Sequence, residues 1–229
     1  IFEWTIYNGP CATSGSSDLV SIFIFDENQA IANAGNDQQV CTPSFSTNLS
    51  ANPVAFPAVG TWTVIEGGAN IINPNDPNTL VDNLSLGDNV FVWTIANGPC
   101  VPPTSTDTVL IQLFDLNAPV PNAGPDQEFC LPTVSTNLEG SETQNAAVGT
   151  WTLIAGSGDI ADENDPNTAV SNLEVGENTF VWTVDNGVCG FGSDTVSVFI
   201  FDPAAQTANA GENQFFCTPI STTTMEGNT

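Results

Sequence analysis

No lysine, arginine or histidine occurs in the 229 residues, against 26 aspartates and glutamates, and the formal net charge is −26. Soluble chains are about a quarter charged with both signs mixed, so the loss of one whole sign is a constraint on the molecule and not a sampling accident. It excludes nucleic acid, anionic membrane surfaces and phosphorylated substrates as partners, because each is held by positive charge. Side-chain salt bridges go with them, leaving apolar burial, backbone hydrogen bonds and covalent links to hold a fold. Catalysis loses its histidine base, lysine amine and arginine clamp. Paired carboxylates of the glycosidase kind remain, but the acids lie in turns that recur along the chain, so no catalytic residue and no enzyme activity are expected. No run of about 18 apolar residues is present, so no helix is written that would cross a membrane. One absence makes a direct prediction. Trypsin leaves the unfolded, reduced chain uncut, since it has no lysine or arginine to cut after; any tryptic fragment in a mass spectrum contradicts this.

What is present is a hydrophobic content of 41%, with 5 Trp and 14 Phe, enough for packed cores and unlike an acidic disordered tail. It is also strongly repetitive. Phe-Val-Trp-Thr at 91–94 returns at 180–183 and, as Phe-Glu-Trp-Thr, at 2–5. Gly-Thr-Trp-Thr at 60–63 returns at 149–152, and Asn-Asp-Pro-Asn-Thr at 75–79 returns at 164–168. Asn-Ala-Gly occurs at 33–35, 122–124 and 209–211. Trp4, Trp93 and Trp182 are spaced by 89 residues, as are Cys11, Cys100 and Cys189. The expected organisation is the end of one repeat at 1–31, complete repeats at 32–120 and 121–207, and the beginning of another at 208–229, all within a longer polymer.

Units of this size suit immunoglobulin-like sandwiches better than short solenoid repeats. Val90 to Ile95 alternates, with Phe91, Trp93 and Ile95 on one face. Thr61 to Val64 buries Trp62 in the same manner, and Thr108 to Phe114 turns Val109, Ile111 and Leu113 inward. Turn clusters such as Asn73 to Asn78, Gly87-Asp88-Asn89 and Asn97-Gly98-Pro99 separate the strands. About seven strands per repeat and no helical period predict an all-β fold, tandem antiparallel sandwiches. Short connectors with Pro119 and Pro121, or Pro203, predict end-to-end stacking as a rod.

The series Ala-Gly-Pro-Asp-Gln at 123–127, Cys130, Gly149-Thr150-Trp151-Thr152, Asn164-Asp165-Pro166-Asn167, Gly176 to Thr183 and Asn186-Gly187-Val188-Cys189 resembles PKD/Ig-like repeats. More narrowly, it is similar to those stacked in giant surface adhesins of gliding Bacteroidota, the SprB type, exported by type IX secretion. The resemblance implies a secreted, cell-surface stalk.

Six cysteines in a secreted chain read as disulfides. The expected pairs lie within repeats, Cys41 with Cys100 and Cys130 with Cys189, leaving Cys11 and Cys217 to partners outside the sequence. The rival scheme staples neighbours through Cys11–Cys41, Cys100–Cys130 and Cys189–Cys217. Calcium is the one cofactor considered, with Asp76, Asp115, Asp126, Asp162 and Asp165 as oxygen ligands in turns and connectors; the same residues serve equally as turn formers. Asp107-Thr108-Val109 and Asp194-Thr195-Val196 match, by resemblance, a short O-glycosylation signal of secreted Bacteroidota proteins, making Thr108 and Thr195 candidate acceptors. Phe23 and Phe25, Leu110 and Phe114, and Phe199 and Phe201 add an apolar outer face to each last strand. It predicts burial at the joint or lateral contact with another chain.

The function expected is a stalk segment of an extracellular adhesin or filament in adhesion or gliding motility, its partners the neighbouring repeats. A polysaccharide-binding module and a self-assembling sheath polymer are the alternatives. Outward-pointing tryptophans would favour the first of these, and outer phenylalanines meeting a second chain the other.

Overall fold

The structure is a computed structural model that describes residues 1–7, 9–11, 15–204, 207–220 and 222–227. Positions 8 and 12–14 of the expected segment 1–31, 205 and 206 of 121–207, and 221, 228 and 229 of 208–229 lie outside the described residues. A first hairpin pairs β1 (Phe2–Ile6) with β2 (Ser16–Val20). The next repeat supplies β3 (Gln38–Cys41), β4 (Thr47–Asn48), β5 (Val59–Glu66), β6 (Asn70–Ile71), β7 (Leu80–Asp82), β8 (Gly87–Ala96) and β9 (Thr104–Phe114). Its successor supplies β10 (Gln127–Cys130), β11 (Thr136–Asn137), β12 (Val148–Ala155), β13 (Asp159–Ile160), β14 (Ala169–Ser171), β15 (Gly176–Asp185) and β16 (Phe191–Phe201).

Each complete repeat makes a four-stranded and a three-stranded sheet, in the orders β3-β9-β8-β5 with β4-β7-β6, and β10-β16-β15-β12 with β11-β14-β13. The fold is all-β, tandem Ig/PKD-like sandwiches. By contact, the chain divides into a first compact unit of Ile1–Val120, Thr143–Val148 and Val184–Gly192, and a second of Pro121–Glu142, Gly149–Thr183 and Ser193–Thr229.

Burial follows the alternation read from the sequence. Phe91, Trp93, Ile95, Val109, Ile111 and Leu113 are buried, and β8 alternates buried with half-buried along most of its length. Trp62 lies 5.0 Å from Trp93 between ring centroids, and Trp151 lies 5.0 Å from Trp182. The aromatic pair is the centre of each core. Trp4, the same residue of the first hairpin, is 71% exposed.

The Asn-Asp-Pro-Asn-Thr motif locks these pairs in place. Asn75 donates its side-chain amide to the Gly60 carbonyl (2.7 Å), and Asp76 Oδ1 accepts from the Asn78 N–H (2.9 Å). The Pro77 carbonyl accepts from Trp62 Nε1 (3.3 Å), and Thr79 Oγ1 accepts from the Asn73 N–H (2.9 Å). Asn164, Asp165, Pro166 and Thr168 repeat all four bonds on Gly149, Asn167, Trp151 and Asp162. With no side-chain salt bridges available, asparagine amides satisfy much of the buried polar backbone, although Trp93 Nε1 and Asn97 Oδ1 are buried without a partner. Asn89, fully buried, accepts from the Ser85 N–H and donates to the Ser85 and Ile111 carbonyls; Asn178 donates equivalently to the Glu174 and Val198 carbonyls but accepts from the Ser157 N–H.

One departure from the expected antiparallel fold matters for everything below. The first strand of each repeat runs parallel to the last, with Cys41 beside Phe114 in β3/β9 and Cys130 beside Phe201 in β10/β16. Parallel pairing of first and last strands puts the beginning of a repeat at one end of its sheet and its finish at the other. The residues before β3 follow the same path. Ala32 and Ala34 donate their N–H groups to Ser105 Oγ and Asp107 Oδ2, and Leu110 donates to Asp37 Oδ1.

Candidate functional site

Asn186 to Cys189, the turn between β15 and β16, belongs to the first compact unit, together with the end of β9. Asn186 donates its side-chain amide to the Asp115 carbonyl (2.8 Å). Gly187, at φ +56, lies over the Phe114 ring, where a Cβ would come within 2.5 Å of ring carbons. Only glycine fits there, both for the left-handed backbone and for the ring. Asp115 Oδ1 accepts from the Asn117 N–H (2.9 Å) and the Thr42 hydroxyl (3.2 Å), and Thr42 Oγ1 accepts from the Leu116 N–H (2.9 Å). Phe114 is 3% exposed under this turn.

The same arrangement occurs a second time in the unit. Asn97 donates to the Asp26 carbonyl (2.8 Å), and Gly98, also at φ +56, lies over Phe25. Asp26 Oδ1 accepts from the Asn28 N–H (2.9 Å). Phe201, at the corresponding end of β16, is 44% exposed and stacks with Phe199 at 4.6 Å. Phe23 makes an edge contact with Phe56 at 5.9 Å. Part of the apolar outer face is thus covered by a glycine turn, and part is open.

The turn carries a covalent lock. Cys189 is bonded to Cys41, with Cα atoms 5.4 Å apart and a sequence separation of 148. Cys11, Cys100, Cys130 and Cys217 are free thiols. This corrects both pairing schemes, since neither Cys41–Cys100 and Cys130–Cys189 nor Cys11–Cys41, Cys100–Cys130 and Cys189–Cys217 is formed. The reason is the parallel pairing. Cys41 lies beside Phe114 at the finish of β9, while Cys100 precedes Thr104 at its start. An eleven-residue strand is about 33 Å long at 3.3 Å per residue, and disulfide Cα atoms must come within about 7 Å. Cys130 beside Phe201 and Cys189 before Phe191 are separated in the same way along β16. Had the parallel partner of the first strand been legible in the sequence, the intra-repeat bridge would have been excluded there.

The five calcium candidates serve as turn and connector caps. Asp76, Asp162, Asp165 and Asp115 each accept the N–H two residues on, and Asp126 Oδ1 accepts from the Ser197 N–H (2.8 Å). Among the described residues, no three His, Cys, Asp or Glu are grouped to hold a metal ion. Thr108 and Thr195 are exposed on β9 and β16. The aspartates before them have a task that no local sequence signal marks: Asp107 and Asp194 accept the N–H of Ala34 and Ala123, holding each Asn-Ala-Gly against the last strand.

Over 99% of its length the chain is 23% identical to the human Dyslexia-associated protein KIAA0319 and 25% identical to its rat homolog, covering 22% of each. It thus spans under a quarter of the length of the curated relatives it matches. Among solved structures, the PKD domain from KIAA 1837 protein is 26% identical over 38% of this chain and 90% of its own, with a TM-score of 0.33. The N-terminal four Ig domains of Dscam1 isoform 1.9 are 12% identical over 76% of this chain and 46% of theirs, with a TM-score of 0.42. The family model described as K319L-like, PKD domain, matches residues 123–200, so the stretch that forms the sandwich built on Trp151 and Trp182 is similar to that family.

Proposed function

We infer that the chain is a stalk segment of an extracellular, cell-surface protein of adhesion type, whose task is to carry tension rather than to bind a ligand in each repeat. The observation that carries this reading is the parallel pairing of β3 with β9 and of β10 with β16. Tension applied through the two termini of such a repeat slides its first and last strands past each other. All their ladder hydrogen bonds are then loaded together, whereas an antiparallel hairpin end opens one bond at a time. Burial of Trp62, Trp93, Trp151 and Trp182 supports the same reading, because a polysaccharide platform would turn them outward. The disulfide supports an oxidising, extracellular setting. The finer setting, gliding motility and type IX export, rests on the sequence resemblance alone.

Single-molecule pulling on the reduced chain from its two ends tests this. Two separate unfolding steps are expected, one per complete repeat, each releasing about 300 Å of chain at ~3.5 Å per residue. Smooth extension without such steps overturns the stalk reading.

A further inference from the structure

The Cys41–Cys189 bridge joins two different positions of the repeat. Cys41, Cys130 and Cys217 close the first strand or its equivalent, and Cys11, Cys100 and Cys189 sit in the glycine turn before the last strand. The bond therefore runs from the first-strand cysteine of one repeat to the turn cysteine of the next. The four remaining thiols are two of each kind.

We propose that Cys41–Cys189 is one rung of a continuous covalent ladder, in which every first-strand cysteine is bonded to the turn cysteine of the following repeat. Cys130 then takes the turn cysteine of the repeat after it, and Cys100 the first-strand cysteine of the repeat before 32–120. The local geometry of both is already that of the bonded pair. Cys100 lies on a turn with the contacts of the Cys189 turn, Asn97 on the Asp26 carbonyl and Gly98 over Phe25, and the Cys100 N–H donates to Asn97 as that of Cys189 does to Asn186. Cys130 stands beside Phe201 as Cys41 stands beside Phe114. The Leu131 N–H donates to the Phe201 carbonyl at 3.0 Å, as the Thr42 N–H does to Phe114 at 3.0 Å. The partner is thus a further copy of this repeat, joined through the same surface.

Each rung forms by thiol–disulfide exchange with an external disulfide. One cysteine thiolate attacks it, releasing one thiol and leaving a mixed disulfide. The second thiolate then displaces the other sulfur as a second thiol. Two cysteine protons and two electrons pass to the external disulfide, which leaves fully reduced. A chain laddered in this way has every cysteine of its interior repeats used, and each covalent loop overlaps the next. Its repeats cannot be drawn apart one by one.

The test compares the 229-residue chain with one lengthened by inserting a second copy of residues 121–207 after position 207. Both are oxidised with glutathione disulfide, alkylated under denaturing conditions, digested with an Asp/Glu-specific protease and mapped by mass spectrometry. The 229-residue chain should carry four alkylated cysteines. The lengthened chain should also carry four although it has two more cysteines, with Cys130 now bonded to the added copy of Cys189. In the lengthened chain, Cys41→Ser should abolish the first rung and leave the second intact. Six alkylated cysteines, Cys130 bonded to Cys100, or bonds between separate molecules in place of the internal rung would overturn the ladder. Loss of the ladder would leave the tension reading standing, since that is tested on reduced protein.

Discussion

Replacing Cys41 by serine is expected to lower the unfolding free energy of the oxidised chain by about 5 kcal/mol. The bridge closes a loop with a sequence separation of 148, and the chain-entropy cost of leaving such a loop open in the unfolded state reaches that size. Domains are stable by only about 5–15 kcal/mol, so a loss of this order moves the urea midpoint far to the left. Cys100→Ser in the same chain should change stability little, because Cys100 is a free thiol there. The pair of variants separates the observed bond from the intra-repeat one. If Cys100→Ser destabilised the chain as much as Cys41→Ser, the bond from Cys41 would run to Cys100 and the parallel-strand explanation would fail. Reduction of the unaltered chain should reproduce the Cys41→Ser midpoint.

Trp182→Ala is expected to cost about 3–5 kcal/mol, the range for removing a large aromatic from a packed core. Trp182 is fully buried, its ring centroid is 5.0 Å from that of Trp151, and its Nε1 donates to the Ser141 carbonyl at 3.1 Å. Truncation opens a cavity beside Trp151 and leaves that carbonyl without its donor, and the two losses add. Trp4→Ala provides the contrast, since Trp4 is mostly exposed and its loss should stay within about 0.5 kcal/mol. Urea titrations followed by circular dichroism measure both. A loss under 1 kcal/mol at Trp182 would mean that the Trp pair is not the centre of its core.

The repeats, the strands and their buried faces were legible because they rest on local regularities. Alternation over Val90 to Ile95 and Thr108 to Phe114 assigns each side chain a face whatever the strand pairs with, and recurrence of Trp93 at Trp182 marks the repeat. The turn motifs were legible as turns, but their tasks were not. Nothing local says that the Pro77 carbonyl will meet Trp62 Nε1, or that Asp107 will hold Ala34. Alternation puts Phe114 on the outer face, and its cover, Gly187, lies far along the chain.

By itself the sequence determined the charge, the repeat length, the all-β class and the identity of the core, since each depends on composition or short-range periodicity. Tertiary structure alone decided the disulfide. The residues 41, 100, 130 and 189 are compatible with several pairings, and the choice turns on whether the first strand of a repeat runs with or against the last. That direction is set by the path of the whole repeat, through hydrogen bonds such as those of Ala32 and Ala34 to Ser105 and Asp107, which join residues 73 apart. Once β3 runs parallel to β9, Cys41 and Cys100 are held at opposite ends of one strand, and the thiol within reach of Cys41 is the one in the next repeat.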